Sequence, residues 1–185
     1  MWAVVGLGNP SKRYAETRHN VGFIFIKRLA REWHVRVKKN RFFSKTAEVK
    51  KDQEKVMLAM PQTYMNNSGQ AVKALLRGAA IEPGRLLVVY DDVDIPLGEI
   101  RVRKEGGPGT HKGMTSIIEE IGTAKFPRIR VGIGPYAAGR DIVDFVLSPF
   151  RKSEKELLGE SLTKAGEALE MILAGQIDKA MNEFN

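Results

Sequence analysis

Leu86-Leu87-Val88-Val89-Tyr90-Asp91-Asp92-Val93-Asp94 is the stretch that decides the fold. Residues 86–90 are apolar without alternation. An apolar run of strand length with no polar face is what a β-strand covered on both sides requires. Such a strand belongs to a sheet sandwiched between helices, with the chain turning polar where the strand emerges. Here it does so at Asp91.

The rest of the chain repeats that theme. Met1–Gly6 is a second buried-strand run, and Gly8-Asn9-Pro10-Ser11 breaks it. The bland reading of Gly6 and Gly8 is a tight strand-to-loop turn. Thr17 is placed to cap a helix whose apolar stripe is Val21, Phe25, Leu29 and Trp33. Arg36–Arg41 reads as a basic connector. Phe43–Lys50 and Lys55–Met60 flank Lys51–Glu54 as a hairpin. Asn66–Ser68 can cap a helix that turns Val72, Leu75 and Leu76 inward. Glu99–Lys104 and Arg128–Ile133 read as strands, and Gly106–Gly113 as a glycine-rich loop before a short helix, Met114–Ile121. From Ser153 the tail is helical, with Leu157, Leu158, Leu162, Leu169 and Ile172 as its apolar side. Strands alternating with helices predict an α/β fold: one domain over residues 1–185, a helix–sheet–helix sandwich around a twisted mixed, mostly parallel β-sheet. Ligands of such sheets bind outside the carboxyl ends of the strands.

Composition narrows the function. The 185 residues suit a single core. Thirty Lys and Arg against 22 Asp and Glu give a net charge of +8, which favours a polyanionic partner such as RNA. Cysteine is absent, which removes disulfides, zinc–thiolate sites and a cysteine nucleophile, and suits a cytoplasmic location. No apolar run approaches the roughly 18 residues of a membrane span, and the N-terminus lacks the basic region of a signal peptide.

Five segments carry polar chemistry. Gly6-Leu7-Gly8-Asn9-Pro10 follows a strand, but Ser11 stands where a dinucleotide fingerprint needs its third glycine. Thr17-Arg18-His19-Asn20 holds one of only three histidines, and His19 is placed at a helix start beside the strand-end face. The imidazole's ordinary pKa of about 6.5 suits a general base. Asp91, Asp92 and Asp94 admit three readings: a Mg²⁺ site, a solvated loop, or Asp91 accepting a hydrogen bond from His19 and fixing its tautomer. Asn66, in Tyr64-Met65-Asn66-Asn67-Ser68-Gly69, is either a helix cap or an amide presented to an oxyanion or an attacking water. Gly106-Gly107-Pro108-Gly109-Thr110-His111-Lys112-Gly113 could cradle phosphate, but lacks the Gly-Lys-Ser/Thr ending of a P-loop. No serine sits in a nucleophile elbow. Direct attack by water is then the simplest hydrolytic chemistry for a His–Asp pair. Arg101, Arg103 and Lys104 share one strand, Arg128 and Arg130 another. Alternation places each arginine pair on one face, as solvated residues or as a patch for RNA backbone.

These segments, their order, and the later Arg130-Val131-Gly132-Ile133-Gly134 resemble bacterial-type peptidyl-tRNA hydrolase over nearly the whole chain. The resemblance implies a monomeric, cytoplasmic esterase, without metal or cofactor, that acts on peptidyl-tRNA at the acceptor end. It implies that His19 is the general base and that Asp91 orients it. Asn9 and Asn66 would bind the substrate's 3′ end and the water or oxyanion. Tyr14, Tyr64 and Met65 would line the pocket with His111 and Lys112, and Arg101, Arg103 and Arg130 would contact tRNA. Two positions depart from the family pattern. Lys112 replaces a substrate-binding asparagine, keeping donors but losing the acceptor, and Asn67 replaces an apolar residue, with an effect expected on local packing alone. Two rivals stand beside this reading. One is a catalytically silent RNA-binding relative of the same fold, and the other a small-molecule esterase or nucleotide-using α/β enzyme.

Overall fold

The two apolar runs pair with each other. In the computed structural model, which describes residues 1–136, 139 and 141–185, strand β1 (Trp2–Gly6) is buried along its whole length. It lies between β4 (Glu54–Pro61) and β5 (Leu86–Pro96), parallel to both. Strand β3 (Ser44–Lys51) runs antiparallel to β4, and β2 (Lys39–Arg41) antiparallel to β3. On the other side β7 (Arg128–Gly134) is parallel to β5, and β6 (Ile100–Arg103) is antiparallel to β7. The order is β2-β3-β4-β1-β5-β7-β6. Five strands point one way and β3 and β6 the other, so the sheet is mixed and mostly parallel, as predicted.

Alternation along β5 divides the core. Leu87 and Val89 face helices α1 (Val21–Glu32) and α5 (Lys155–Leu173), through residues such as Phe25, Leu29, Leu162 and Leu169. Leu86, Val88 and Tyr90 face α2 (Ser68–Gly78) and α3 (Lys112–Ile121), through Val72, Leu75, Met114 and Ile117. Both faces are covered, which is why the run has no polar alternation. Gly6 and Gly22 are small for one reason. A Cβ on Gly6 would sit 2.1 Å from the Gly22 carbonyl oxygen, and one on Gly22 would sit 2.4 Å from the Val89 oxygen. The start of α1 thus lies directly on β1 and β5, so packing rather than a turn explains Gly6.

Several boundaries differ from the pattern-based reading. Helix α1 follows a 3₁₀ turn, Arg18–Asn20, and Thr17 does not cap it; its hydroxyl donates to the Tyr14 carbonyl (2.9 Å). Strand β5 runs past Asp91 to Pro96. The end of the basic connector forms β2, and Phe43 lies in the turn rather than in β3. The tail breaks at Gly175 (φ 76°) into α5 and α6 (Ile177–Phe184). Leu157 is 42 % exposed, so the inward stripe of α5 starts one residue later, at the half-buried Leu158. Helix α4 (Ile142–Leu147) escaped the pattern, although Asp141 caps it by accepting from the Val143 N–H (2.7 Å). The sheet edge at β6 is closed by a side chain: Asn185 accepts from the Val102 N–H (2.8 Å) and donates to the Val102 carbonyl (3.0 Å), filling the place of a neighbouring strand.

Candidate active site

Asp91 marks the point where β5 leaves the space between α1 and α3. Its carboxylate is buried between two imidazoles. His19 comes from the 3₁₀ turn after β1, and its Nδ1 lies 2.9 Å from both carboxylate oxygens. His111 comes from the glycine-rich loop, and its Nε2 lies 3.0 Å from Oδ1. The tautomers follow from the remaining contacts. His111 Nδ1 accepts from the Met114 N–H (3.2 Å) as the N-cap of α3, so its proton is on Nε2 and points at Asp91. A carboxylate can only accept, so His19 likewise donates from Nδ1. Its Nε2, bonded to no described residue, is left with a lone pair able to take a proton. Burial alone would raise the Asp91 pKa, but His111 and His19, by charge and by hydrogen bond, outweigh it and hold the carboxyl below the ordinary range. His111 lines the same cleft, and its Nε2 is turned onto Asp91, with 9 % of its side chain exposed.

The asparagines are arranged around this group. Asn9 Oδ1 accepts from the Met65 N–H (2.8 Å), which leaves its NH₂ free to donate. Its main chain is held on both sides by Asn20, whose Oδ1 accepts from the Asn9 N–H (2.8 Å) and whose Nδ2 donates to the Asn9 carbonyl (3.0 Å). Asn66 is exposed in the 3₁₀ turn Met65–Asn67. It is not a cap, since Ser68 bonds back to the Met65 carbonyl (2.8 Å) and the Asn66 amide bonds to no described residue. Met65 is buried in the cleft wall. Tyr14 and Tyr64 stand outside that wall, Tyr14 beneath the Arg13 guanidinium (4.5 Å) and Tyr64 half exposed.

Two supporting residues in the same motif were given no role by their sequence. One is Asn20, just described. The other is Arg18, which is buried and holds Glu154 through two contacts of 2.7 Å. It also donates to the Ser148 hydroxyl (3.2 Å) and lies over the Phe145 and Phe150 rings. Arg18 therefore ties the His19 turn to α4, whose Ile142, Val143 and Val146 form an apolar wall of the cleft. The cavity so enclosed has a volume of about 560 Å³.

The arginines separate. Register pairs Arg101 with Arg130 and Arg103 with Arg128, so all four start on one face. Arg103 and Arg130 line the cleft, and Arg130 Nε donates to Asp92 (2.6 Å). Arg101 turns away to Glu99 (3.0 Å) and the Phe184 carbonyl and is not part of the lining. Arg128 is buried and cannot join a surface patch. It lies over the Phe126 ring (4.3 Å) and donates to the carbonyls of Gly106, Gly107, Ala124 and Phe126. Lys112 opens α3 at the rim.

A family model described as peptidyl-tRNA hydrolase matches residues 3–185. The chain belongs to the peptidyl-tRNA hydrolase family. It is similar to the peptidyl-tRNA hydrolase of Chloroflexus aggregans, with 45 % identity over all of this chain and 99 % of the relative. That of Syntrophomonas wolfei is 44 % identical over the full length of both. The crystal structure of peptidyl-tRNA hydrolase from Acinetobacter baumannii superposes with a TM-score of 0.93 at 33 % identity, covering all of this chain and 94 % of that one.

For a member of the peptidyl-tRNA hydrolase family the two departures are local. Lys112 makes no side-chain hydrogen bond to a described residue, and Asn67 is exposed at the start of α2 without a side-chain cap bond, so neither alters the His19–Asp91–His111 group. Those three side chains offer ligand atoms within 4.8 Å of one another, a set able to hold a transition metal. Their contacts are fully accounted for by N–H donation to one carboxylate. No helix among the described residues is long and apolar enough to cross a membrane.

Proposed function

We propose that the chain hydrolyses the ester joining a peptide, or another N-blocked aminoacyl group, to the 3′-terminal ribose of tRNA, and so recycles tRNA from prematurely released peptidyl-tRNA. The observation that carries this reading is a histidine whose Nδ1–H is held by a buried carboxylate while its Nε2 stays free in the cleft. Family membership supplies the substrate class.

Water is the nucleophile. His19 Nε2 takes a proton from it as its oxygen attacks the ester carbonyl carbon, and the buried charge of Asp91 stabilises the imidazolium that forms. The free amides of Asn66 and Asn9 are placed to donate to the oxyanion and to the 3′ nucleotide. When the tetrahedral adduct collapses, the C–O bond to the ribose breaks and His19 returns the proton to the leaving oxygen. The products are a peptide acid and a tRNA with a free 3′-terminal ribose. Arg103, Arg130 and Lys112 meet phosphates around the acceptor end, fixing position without reading sequence. The enzyme works as a single domain and a monomer in the cytoplasm, without cofactor.

Release of the acyl group from N-acetylaminoacyl-tRNA tests this. A positioned base contributes about 10²- to 10⁴-fold, so His19→Ala should lose at least 10²-fold while still folding. Near-normal turnover by that variant would remove His19 from the mechanism. A wild-type chain that binds tRNA and never cleaves it would favour the RNA-binding relative.

A further inference from the structure

The hairpin at the far edge of the sheet carries an aromatic side chain that the fold does not use. Arg41 pairs with Ser44, so Phe42 and Phe43 are the whole loop between β2 and β3. Two-residue loops of this kind need positive φ at both positions and normally hold Asn-Gly. Here φ is 54° at Phe42 and 51° at Phe43, a conformation unfavourable for any residue with a Cβ. Phe42 has a packing role: it lies against α2 where a Cβ on Gly78 would meet its ring at 2.1 Å. Phe43 has none, and at 69 % it is the most exposed large hydrophobic side chain of the described residues.

Its surroundings are cationic. Residues 35–45 contain Arg36, Lys38, Lys39, Arg41 and Lys45 with no acid, and all five are exposed. Among the described residues only Arg41 has a carboxylate partner, Glu48 (2.7 Å). The tip also sits at the catalytic end of the sheet. Ser44 pairs with Pro61 at the end of β4, and the Phe43 carbonyl accepts from the Gln62 N–H (2.8 Å), from which the chain runs directly to Met65 and Asn66. Three strand spacings separate β3 from β5, which places the tip about 14 Å along the sheet from the strand of Asp91.

We propose that this hairpin tip is a second RNA contact, in which Phe43 stacks on an unpaired base just upstream of the reacting 3′ nucleotide and Lys39, Arg41 and Lys45 meet the adjoining phosphates. A ring over a base and cations along the backbone are the two components of single-strand binding. The inference rests on the tRNA-ester reading. It identifies the part of that substrate gripped beyond the cleft.

The test compares wild type with Phe43→Gly, Phe43→Ala and Phe43→Trp. Glycine relieves the positive φ, so its melting temperature should rise, which separates loss of the ring from loss of the fold. Losing one stacked base should raise KM for N-acetylaminoacyl-tRNA roughly 5- to 150-fold with kcat unchanged, and Trp should restore it. On N-acetylaminoacyl-adenosine, which has no upstream nucleotide, all four proteins should be equal. An unchanged KM on tRNA, or an equal loss on the adenosine ester, overturns the proposal. So does Phe43-dependent binding to phosphatidylserine vesicles with unaltered tRNA affinity, which would make the tip a membrane contact. Binding of uncharged tRNA is measured in parallel. Phe43-dependent binding without cleavage by wild type would sink the catalytic reading and leave this contact standing.

Discussion

Asp91→Asn should switch off hydrolysis through the His19 tautomer while leaving the fold in place. The side chains are isosteric, but the amide has one acceptor and one donor end where the carboxylate had two acceptors. His111 decides which end goes where. Its Nδ1 is occupied by the Met114 N–H, so its Nε2–H must still be accepted, and only the amide oxygen can do that. The amide NH₂ then takes the place of Oδ2, 2.9 Å from His19 Nδ1. To accept it, His19 must move its own proton to Nε2, the atom that has to receive the proton of water. The substitution therefore converts the base into its inactive tautomer, and it also removes the charge that stabilises the imidazolium. A loss of about 10²- to 10⁴-fold in kcat is expected, or roughly 3–5.5 kcal/mol in the barrier, with little change in KM. Single-turnover release from N-acetylaminoacyl-tRNA between about pH 6 and 9 measures it, and raising the pH should not recover activity. Nitrogen NMR of the imidazoles reads the tautomer directly. Activity within threefold of wild type, or a His19 proton still on Nδ1, would refute the reasoning.

Acid stability depends on the same carboxylate. The folded pKa of Asp91 is depressed, so its contribution is fully present above the unfolded value of about 3.9 and is lost as pH falls through the lower folded value. Thermal melts below about pH 4 should therefore show wild type losing stability more steeply than Asp91→Asn; parallel curves would contradict the linkage. Arg128→Ala should cost about 2–4 kcal/mol in urea unfolding, because it removes the hydrogen bonds that hold the carbonyls of Gly107, Ala124 and the buried Phe126 together with a buried ring contact; a loss under about 0.5 kcal/mol would mean the loop is held otherwise. A transition-metal chelator such as phenanthroline, with Mg²⁺ kept constant, should leave the rate of ester cleavage unchanged. A large, zinc-reversible loss would turn His19, Asp91 and His111 into ligands.

The readings that succeeded rest on local signals. Apolar runs without alternation at residues 2–6 and 86–90 are strands buried on both faces. A polar residue at the end of such a run has one place to go, so Asp91 and the nearby His19 were legible as a pair. What escaped is what depends on contacts distant in sequence. Arg128 read as a surface cation because its partners are main-chain carbonyls of another loop, and nothing in residue type announces those. The bond of His111 to Asp91 and its capping of α3 were not legible, because both depend on how the glycine-rich loop is folded. Arg18 and Asn20 lie inside one motif, yet neither residue type names its partner: Asn20 turns back to the main chain of Asn9, and Arg18 reaches Glu154 only after α4, a helix whose single sequence mark was its Asp141 cap. Arg101 and Arg103 share a strand and a face, but the first is drawn to the C-terminal helix, which alternation alone cannot foresee.

The amide of Asn185 on Val102 has a bearing beyond this molecule's own fold. The outer margin of a sheet is an unsatisfied row of donors and acceptors, and a second copy offering its own margin can zip onto it. Here that row is answered at Val102 by a side chain that takes one donor and one acceptor at once. The opposite margin is only three residues long, exposed, and carries Lys39 and Arg41, so two copies brought together there meet like charge. One margin is stoppered and the other carries like charge, and both features work against edge-to-edge pairing of folded copies into a ribbon.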